Sequence, residues 1–496
     1  MRMVRGRASY GSHVAVLRPD GPAAGEDARP ELADVARLGK RLVRHAVHLA
    51  RAEESSIRHL LTSHLGDGAE GMPVLSAAWQ AYDHVNVQAG LDAWLAQYGR
   101  EHEIAGLTGF RHTEFGLSDL LQPSPWHQHV GLGSVTTVTL PSGPDGATRA
   151  CAQCAIYLVL EEAGPLALLL RGPDDHGTSE GVTVEVACAS QEQAQRAVDG
   201  IRRLAVERNV FRGQVVAFGG EVFGPGGALL SFRPRPRVRR EQVVLPEEVL
   251  DGVERQVLGV ARHSARLLAS GQHLKRGVLL HGAPGTGKTH TIRYLLSELS
   301  GVTVVVLSGG ALELIAEACS VARTLQPSLV VVEDVDLIAE EREIGMGDHP
   351  LLFQLLNEMD GLGEDLDVTF LLTTNRADLL EPALAQRPGR VDHAALLPLP
   401  DAAARRRLLE LYRGNLVLDL SSPEEVISRT EGVTASFMKE LLRRAALRAA
   451  SESGEETGPL TVTDAHVGTA LDELLDTRNA LTRVLLGGGS QDEPPG

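Results

Sequence analysis

GAPGTGKT, Gly282 to Thr289, is the stretch on which the fold turns. It follows the apolar run Gly277, Val278, Leu279, Leu280 and precedes apolar residues at helical spacing, Ile292, Leu295, Leu296 and Leu299. Strand, glycine-rich turn and helix in that order are the setting a phosphate-binding loop requires. Gly282, Gly285 and Gly287 let the backbone take positive φ, so that successive N–H groups, including those of Ala283 and Thr286 around Pro284, converge on phosphate oxygens. The following helix offers its positive end to the same charge. Lys288 is expected to reach the β and γ phosphates as a mobile charge, and the Thr289 hydroxyl to ligate the magnesium that bridges them. His290, next in line, is counted with the nucleotide-binding run.

Working outward, Leu329 to Val332 is apolar without alternation, as suits a strand of a parallel sheet covered on both faces. Glu333 and Asp334 emerge at its carboxyl end, the edge where open α/β sheets bind ligands. One acid is expected to serve magnesium through its water and the other to orient an attacking water. A third strand, Val368 to Leu372, runs into Thr373, Thr374 and Asn375. The Asn375 amide can donate to the γ-phosphate and accept from water.

These residues, with QLLNEMDGL at Gln354 to Leu362 and EPALAQRPGRVD at Glu381 to Asp392, resemble the AAA branch of the AAA+ ATPases over about residues 245–473. The resemblance implies an α/β fold, a P-loop NTPase parallel sheet with a small helical lid; the strand and helix patterns upstream of it, outside the resemblance, read as a separate α+β N-terminal domain. It implies ATP and Mg2+ as substrate and cofactor, a homo-oligomer of hexamer type, and a protein partner or substrate. It also implies that Arg387 and Arg390 act in trans on ATP held by the neighbouring subunit. Such arginine fingers are worth about 10³ to 10⁵ in rate in other NTPases. After Pro400 four short helical patterns, Ala402 to Tyr412, Pro423 to Arg429, Ser436 to Ser451 and Thr463 to Leu475, take the place of the lid. Within it Gly432 to Ser436 corresponds loosely to a nucleotide-contacting turn, which implicates the backbone at Ala435 and Ser436.

Two departures from the family pattern carry expectations of their own. The family writes Asp then Glu where this chain has Glu333 then Asp334, so Glu333 is assigned to magnesium and Asp334 to the water. Protein-threading members project an aromatic loop between the second and the catalytic strand. Here Ser308 to Pro327 contains no Phe, Tyr or Trp and reads as one helix. A helix of about 15 residues already spans about 22 Å, which leaves no chain for a projecting loop.

The rest of the 496 residues bounds the function more than it names it. A formal charge of −17, from 48 basic and 65 acidic residues, argues against general nucleic-acid binding. Four cysteines, the absence of an 18-residue apolar run and the absence of a signal-peptide pattern point to a cytoplasmic protein with no membrane span. Residues 1–30 and 477–496 are expected to be flexible, 31–231 to form the α+β partner domain, 232–244 an Arg/Pro linker, 245–400 the large ATPase subdomain and 401–476 the lid. Within the N-terminal part, Leu32 to Leu65 reads as helical, and the run from Gln191 to Phe218 as a helix and strand that close its sheet. Cys151 and Cys154 have zinc or redox spacing but read as core residues, and His102, His112, His127 and His129 as a polar surface rather than a metal site. Arg233 to Arg240, alternating with Pro234 and Pro236, reads as a semi-rigid linker, with contact to an acidic partner or nucleic acid as the sharper alternative.

The reading is an ATP-hydrolysing remodelling ATPase acting on a protein partner. The alternative is an ATP-controlled assembly scaffold or switch with slow turnover and no threading.

Overall fold

The computed structural model describes residues 57–97, 100–110, 115–122, 130–173, 181–219, 230–337, 350–361, 363, 366–378, 391–453 and 458–476. Helix α1, residues 57–65, opens the described chain. The first sheet is antiparallel and has seven strands: β1 (Val74–Gln80), β2 (Glu101–Thr108), β3 (Gly131–Gly133), β4 (Thr136–Pro141), β5 (Thr148–Glu161), β6 (Gly164–Arg171) and β7 (Gly181–Cys188). Their order is β1-β7-β6-β5-β2-β3, with β4 paired to the first half of β5.

The period of two along β5 sorts its side chains between two cores. Ala155, Tyr157 and Val159 share a cluster with apolar residues of α2 (His84–Ala96) and α4 (Gln191–Glu207). Cys154, Ile156 and Leu158 share another with α1 and the short α3 (Leu117–Leu121).

The second sheet carries the motifs. It contains β8 (Val215–Phe218), β9 (Leu230–Arg233), β10 (Arg276–His281), β11 (Thr303–Leu307), β12 (Ser328–Val332), β13 (Val368–Thr374) and β14 (His393–Leu396), in the order β14-β10-β13-β12-β11-β8-β9. All neighbours are parallel except β8 and β9. Every residue of β12 and β13 is buried, as suits the apolar runs Leu329 to Val332 and Phe370 to Leu372 at their centres, and the burial extends to Ser328, Thr369, Thr373 and Thr374. α5 (Glu247–Glu254) and α6 (Val260–Ala269) flank a π-helical turn, Arg255–Gly259. α7 (Lys288–Glu298), α8 (Ile315–Thr324) and α9 (Pro350–Asp360) follow β10, β11 and β12.

Two expectations are corrected here. The strand at Val215–Phe218 does not close the N-terminal sheet. Its four residues are buried, and Val215 to Ala217 pair with Val304 to Val306 in the ATPase sheet, with β9 outside them. The strand is too apolar to serve as an edge, and β11 supplies the covered position it needs. The segment Ser308 to Pro327 is not one helix either: Gly309–Leu314 forms a 3-10 turn before α8 begins, with Leu312 and Ile315 buried.

The lid comprises α10 (Ala402–Arg413), α11 (Pro423–Arg429), α12 (Ala435–Glu452) and α13 (Asp464–Leu475), with a short parallel pair β15 (Val417–Asp419) and β16 (Thr461–Thr463). Asp401 caps α10 by accepting from Ala404 N at 2.7 Å, and Thr434 caps α12 by accepting from Phe437 N at 3.3 Å. The residues expected to be flexible, 1–30 and 477–496, lie outside the described residues, as does the helical pattern before residue 57. Among the described residues no helix is long and apolar enough to cross a membrane.

Candidate active site

Strand order brings together what the chain separates. β13 lies between β10 and β12, so Asn375, just past the end of β13, stands between the glycine-rich loop that follows β10 and the acids that follow β12. All three groups share the carboxyl edge of the sheet, where a parallel arrangement leaves a crevice.

The loop from Gly282 to Gly287 is shaped as its glycines require. Gly282, Gly285 and Gly287 have φ of 148°, 82° and 105°. A Cβ on Gly282 would lie 2.5 Å from the Leu397 carbonyl oxygen, so close passage of the β14 exit excludes any side chain there. Thr286 is buried and its hydroxyl donates to Ala283 O at 2.9 Å, which closes the turn. Pro284 is exposed at its tip. Lys288 Nζ donates to Gly282 O at 2.7 Å and to Ala283 O at 3.1 Å, so the ammonium lies over the loop. Burial lowers its pKa, opposed by the charges of Asp334 and Asp336. Thr289 is exposed at the start of α7. His290 turns the other way: its Nε2 lies 3.0 Å from Gln242 O.

At the end of β12 the two acids differ. Glu333 Oε1 is buried and has no hydrogen-bond partner. A buried carboxylate oxygen without a donor costs free energy unless a cation or its water completes it, so the side chain fits the magnesium role. Asp334 is exposed and its backbone is left-handed, φ 55°, the one such non-glycine residue among those described. Thr373 fixes that conformation, since its hydroxyl accepts from Asp334 N at 3.0 Å and its carbonyl from Val335 N at 2.9 Å. Partial burial and the neighbouring Asp336 push the Asp334 carboxyl above its usual range, against the pull of Lys288.

Asp336 and Thr373 are the residues that motif reading passes over. Asp336 is buried, and its Oδ1 accepts from Asn375 N at 3.2 Å. It therefore ties the tip of β13 to the acidic strand. The available signal is period two: Glu333 and Asp334 draw attention, and Asp336, two residues beyond Asp334, reads as an ordinary loop acid.

The lid reaches the loop through Gly285. Ser436 N donates to Gly285 O at 3.2 Å, and a Cβ on Gly285 would stand 2.9 Å from Thr434 Oγ1. Ala435, the first residue of α12, packs against the lid core. Of the two lid residues named from sequence, Ser436 touches the loop. Thr434 is an additional neighbour.

Arg387 and Arg390 lie outside the described residues, as do His112, His127 and His129. Among the described residues no group of three or more His, Cys, Asp or Glu side chains is placed to hold a metal ion. Cys151 and Cys154 are both buried and belong to different apolar clusters, so they do not converge on one site. Burial pushes their thiols up to about 11 and about 12.

A family model, the ATPase family associated with various cellular activities (AAA), matches residues 278–399. The ATP-dependent zinc metalloprotease FtsH 2 of Sphaerobacter thermophilus is 34% identical over 269 residues, which cover 51% of this chain and 40% of that protein. FtsH of Nitrosococcus oceani is 32% identical over 268 residues, 50% of this chain and 41% of the relative. FtsH of Mycobacterium leprae is 30% identical over 269 residues, 51% and 33% respectively. The chain spans less than half the length of each of these relatives. Residues 278–399, whose loop, acids and asparagine meet at one sheet edge, thus form an AAA domain, the nucleotide-binding unit of the AAA+ ATPases, which work on ATP with magnesium.

Proposed function

We propose that this chain is a homo-oligomeric, hexamer-type remodelling ATPase that acts in the cytoplasm on a protein partner engaged by its N-terminal half. The observation that carries the reading is the shared sheet edge at which Lys288 comes under the charges of Asp334 and Asp336, next in chain to the unpartnered, buried Glu333 Oε1. Lys288 and the loop N–H groups would bind the triphosphate, while Thr289 and Glu333 would hold magnesium, which neutralises phosphate charge when bound. Asp334, held by Thr373, would orient and deprotonate the attacking water. Asn375, tied to Asp336, would hold that water against the γ-phosphate. The relatives' printed names join ATP to work on proteins, which supports a protein partner. On this reading Arg387 and Arg390 complete the centre of the adjacent subunit.

Complementation tests it. Lys288→Ala and Arg390→Ala chains are each expected to be inactive alone. Mixed, they regain turnover, because an intact loop in one subunit meets an intact finger from the other. Specific activity of the unmodified chain is expected to rise with protein concentration. Full activity of a dilute monomer, or no recovery on mixing, would overturn completion between subunits.

A second reading, an ATP-controlled scaffold that does not thread its partner, is favoured by one observation. Gly309–Leu314, between β11 and α8, is a 3-10 turn anchored by buried Leu312 and carries no aromatic residue. ATP-dependent unfolding of a tagged fluorescent protein would favour remodelling by threading; assembly driven by ATP without unfolding would favour the scaffold.

A further inference from the structure

The Arg/Pro run expected to be a linker is instead docked along the phosphate-loop helix. Arg235 donates from Nη1 to Leu296 O at 2.8 Å and Leu299 O at 2.7 Å, and from Nη2 to Gly213 O at 2.9 Å and Val302 O at 3.1 Å. One guanidinium thus gathers carbonyls from the C-terminal end of α7, the entry to β8 and the entry to β11. The last carbonyls of a helix have no intrahelical donor and carry the negative end of its dipole, so a fork of cationic donors is well matched to them.

The contacts continue toward the loop. Ser297 Oγ donates to Val238 O at 2.6 Å. Arg240 pairs with Glu247, Asp251 and Glu254, and Glu254 accepts from Tyr294 OH at 2.6 Å. Gln242 O meets His290 Nε2 at the far end. The strap therefore follows α7 from its last turn to the residue after Thr289.

Its other end leads to the N-terminal domain. The strap begins where β9 ends, β9 pairs with β8, and Phe218 of β8 meets Tyr82 edge-on with ring centroids 5.7 Å apart. Asn86 Oδ1 accepts from Val210 N at 2.9 Å, and Val85 and Cys151 share a core with Val216, Leu230 and Val305.

We propose that Arg235 is a positioning residue for nucleotide binding: by gripping the end of α7 it sets the helix that presents Lys288 and Thr289, and it makes that setting answer to the N-terminal domain through β8 and β9. The inference rests on ATP binding at the Lys288 loop. Because the helix N-terminus and Lys288 hold the triphosphate in the ground state, loss of the grip at the far end of the helix is expected to weaken nucleotide binding, by about tenfold.

The test uses the full chain and a fluorescent ATP analogue, with the folded fraction measured by thermal melting. Arg235→Met is expected to raise the dissociation constant and KM for ATP about tenfold while kcat per folded subunit changes less than about threefold. Arg235→Lys, which keeps the charge but not the fork, is expected to lie between. Tyr82→Leu is expected to weaken binding, and its effect is expected to shrink in the Arg235→Met background, since both act through one connection. Unchanged nucleotide affinity in Arg235→Met, or losses that follow only the folded fraction, would overturn the positioning role. Strictly additive effects of the two substitutions would overturn the link to the N-terminal domain. Lys288→Ala serves as reference: if it too binds the analogue normally, the ATP site itself is misassigned.

Discussion

Asp83 sits where the N-terminal domain meets the ATPase, beside a cavity of about 50 Å³ shared with Ser320 and Thr324 of α8. Burial pushes its carboxyl up to about 6 from an ordinary 3.8, with a hydrogen bond from Asn86 opposing the shift. The sign follows from proton binding. Between pH 4 and 6 the native chain holds a proton that the unfolded chain has lost, so stability falls as pH rises through that window and the full cost is present above it. Two pKa units correspond to roughly 3 kcal/mol; Asp83 keeps partial contact with solvent, which brings the expected cost to about 2 kcal/mol. Asp83→Asn keeps an oxygen to accept from Asn86 and removes the charge. It is expected to be about 2 kcal/mol more stable than the unmodified chain at pH 7.5, with the difference shrinking to about 1 kcal/mol near pH 4.5 and below about 0.5 kcal/mol only near pH 4. Urea titration followed by tryptophan emission measures this selectively, because all three tryptophans, Trp79, Trp94 and Trp126, belong to the N-terminal half. Titrations common to both chains cancel in the difference. A gap that does not change with pH, or a substituted chain less stable than the unmodified one at pH 7.5, would show that the carboxylate is not buried at a cost.

At the nucleotide site, Asp334→Asn is expected to bind ATP within about threefold of normal while turnover falls by about 10² to 10⁴; parallel loss of binding in a nucleotide titration would assign Asp334 to binding instead. Gly285→Ala must hold alanine at φ 82°, a left-handed conformation that costs about 1–2 kcal/mol, with its methyl 2.9 Å from Thr434 Oγ1. ATP affinity is expected to fall about tenfold as the lid is pushed from the loop, and normal affinity would rule out a working contact between lid and loop.

The parts of the site carried by motifs are legible because each depends on local geometry: a glycine where φ is positive, a lysine after the turn, acids at the end of an unbroken apolar strand. Thr373 and Asp336 escape because their importance is set across strands, by what β13 presents to β12, and one strand's sequence does not record its neighbour. The same reason explains β8. Val215 to Phe218 looks like any buried strand, and only the matching run at Val304 to Val306 decides which sheet receives it. The lid helices are legible to within one or two residues because caps such as Asp401 and Thr434 announce their starts. The grip of Arg235 is hidden because proline alternation describes the backbone's stiffness and says nothing of the carbonyls that wait for a guanidinium.

The placement of β8 and β9 also fixes where this molecule can be divided. A fragment beginning at residue 245, where motif resemblance starts, would strip two strands from the sheet and bare the backbone of Val304 to Val306 along with Val305, Ile315 and Cys319 beneath it. Such an edge invites pairing with other chains. The catalytic half, recognisable by itself on paper, is in physical terms the inner part of a larger body, and its natural margin lies upstream of Gly213.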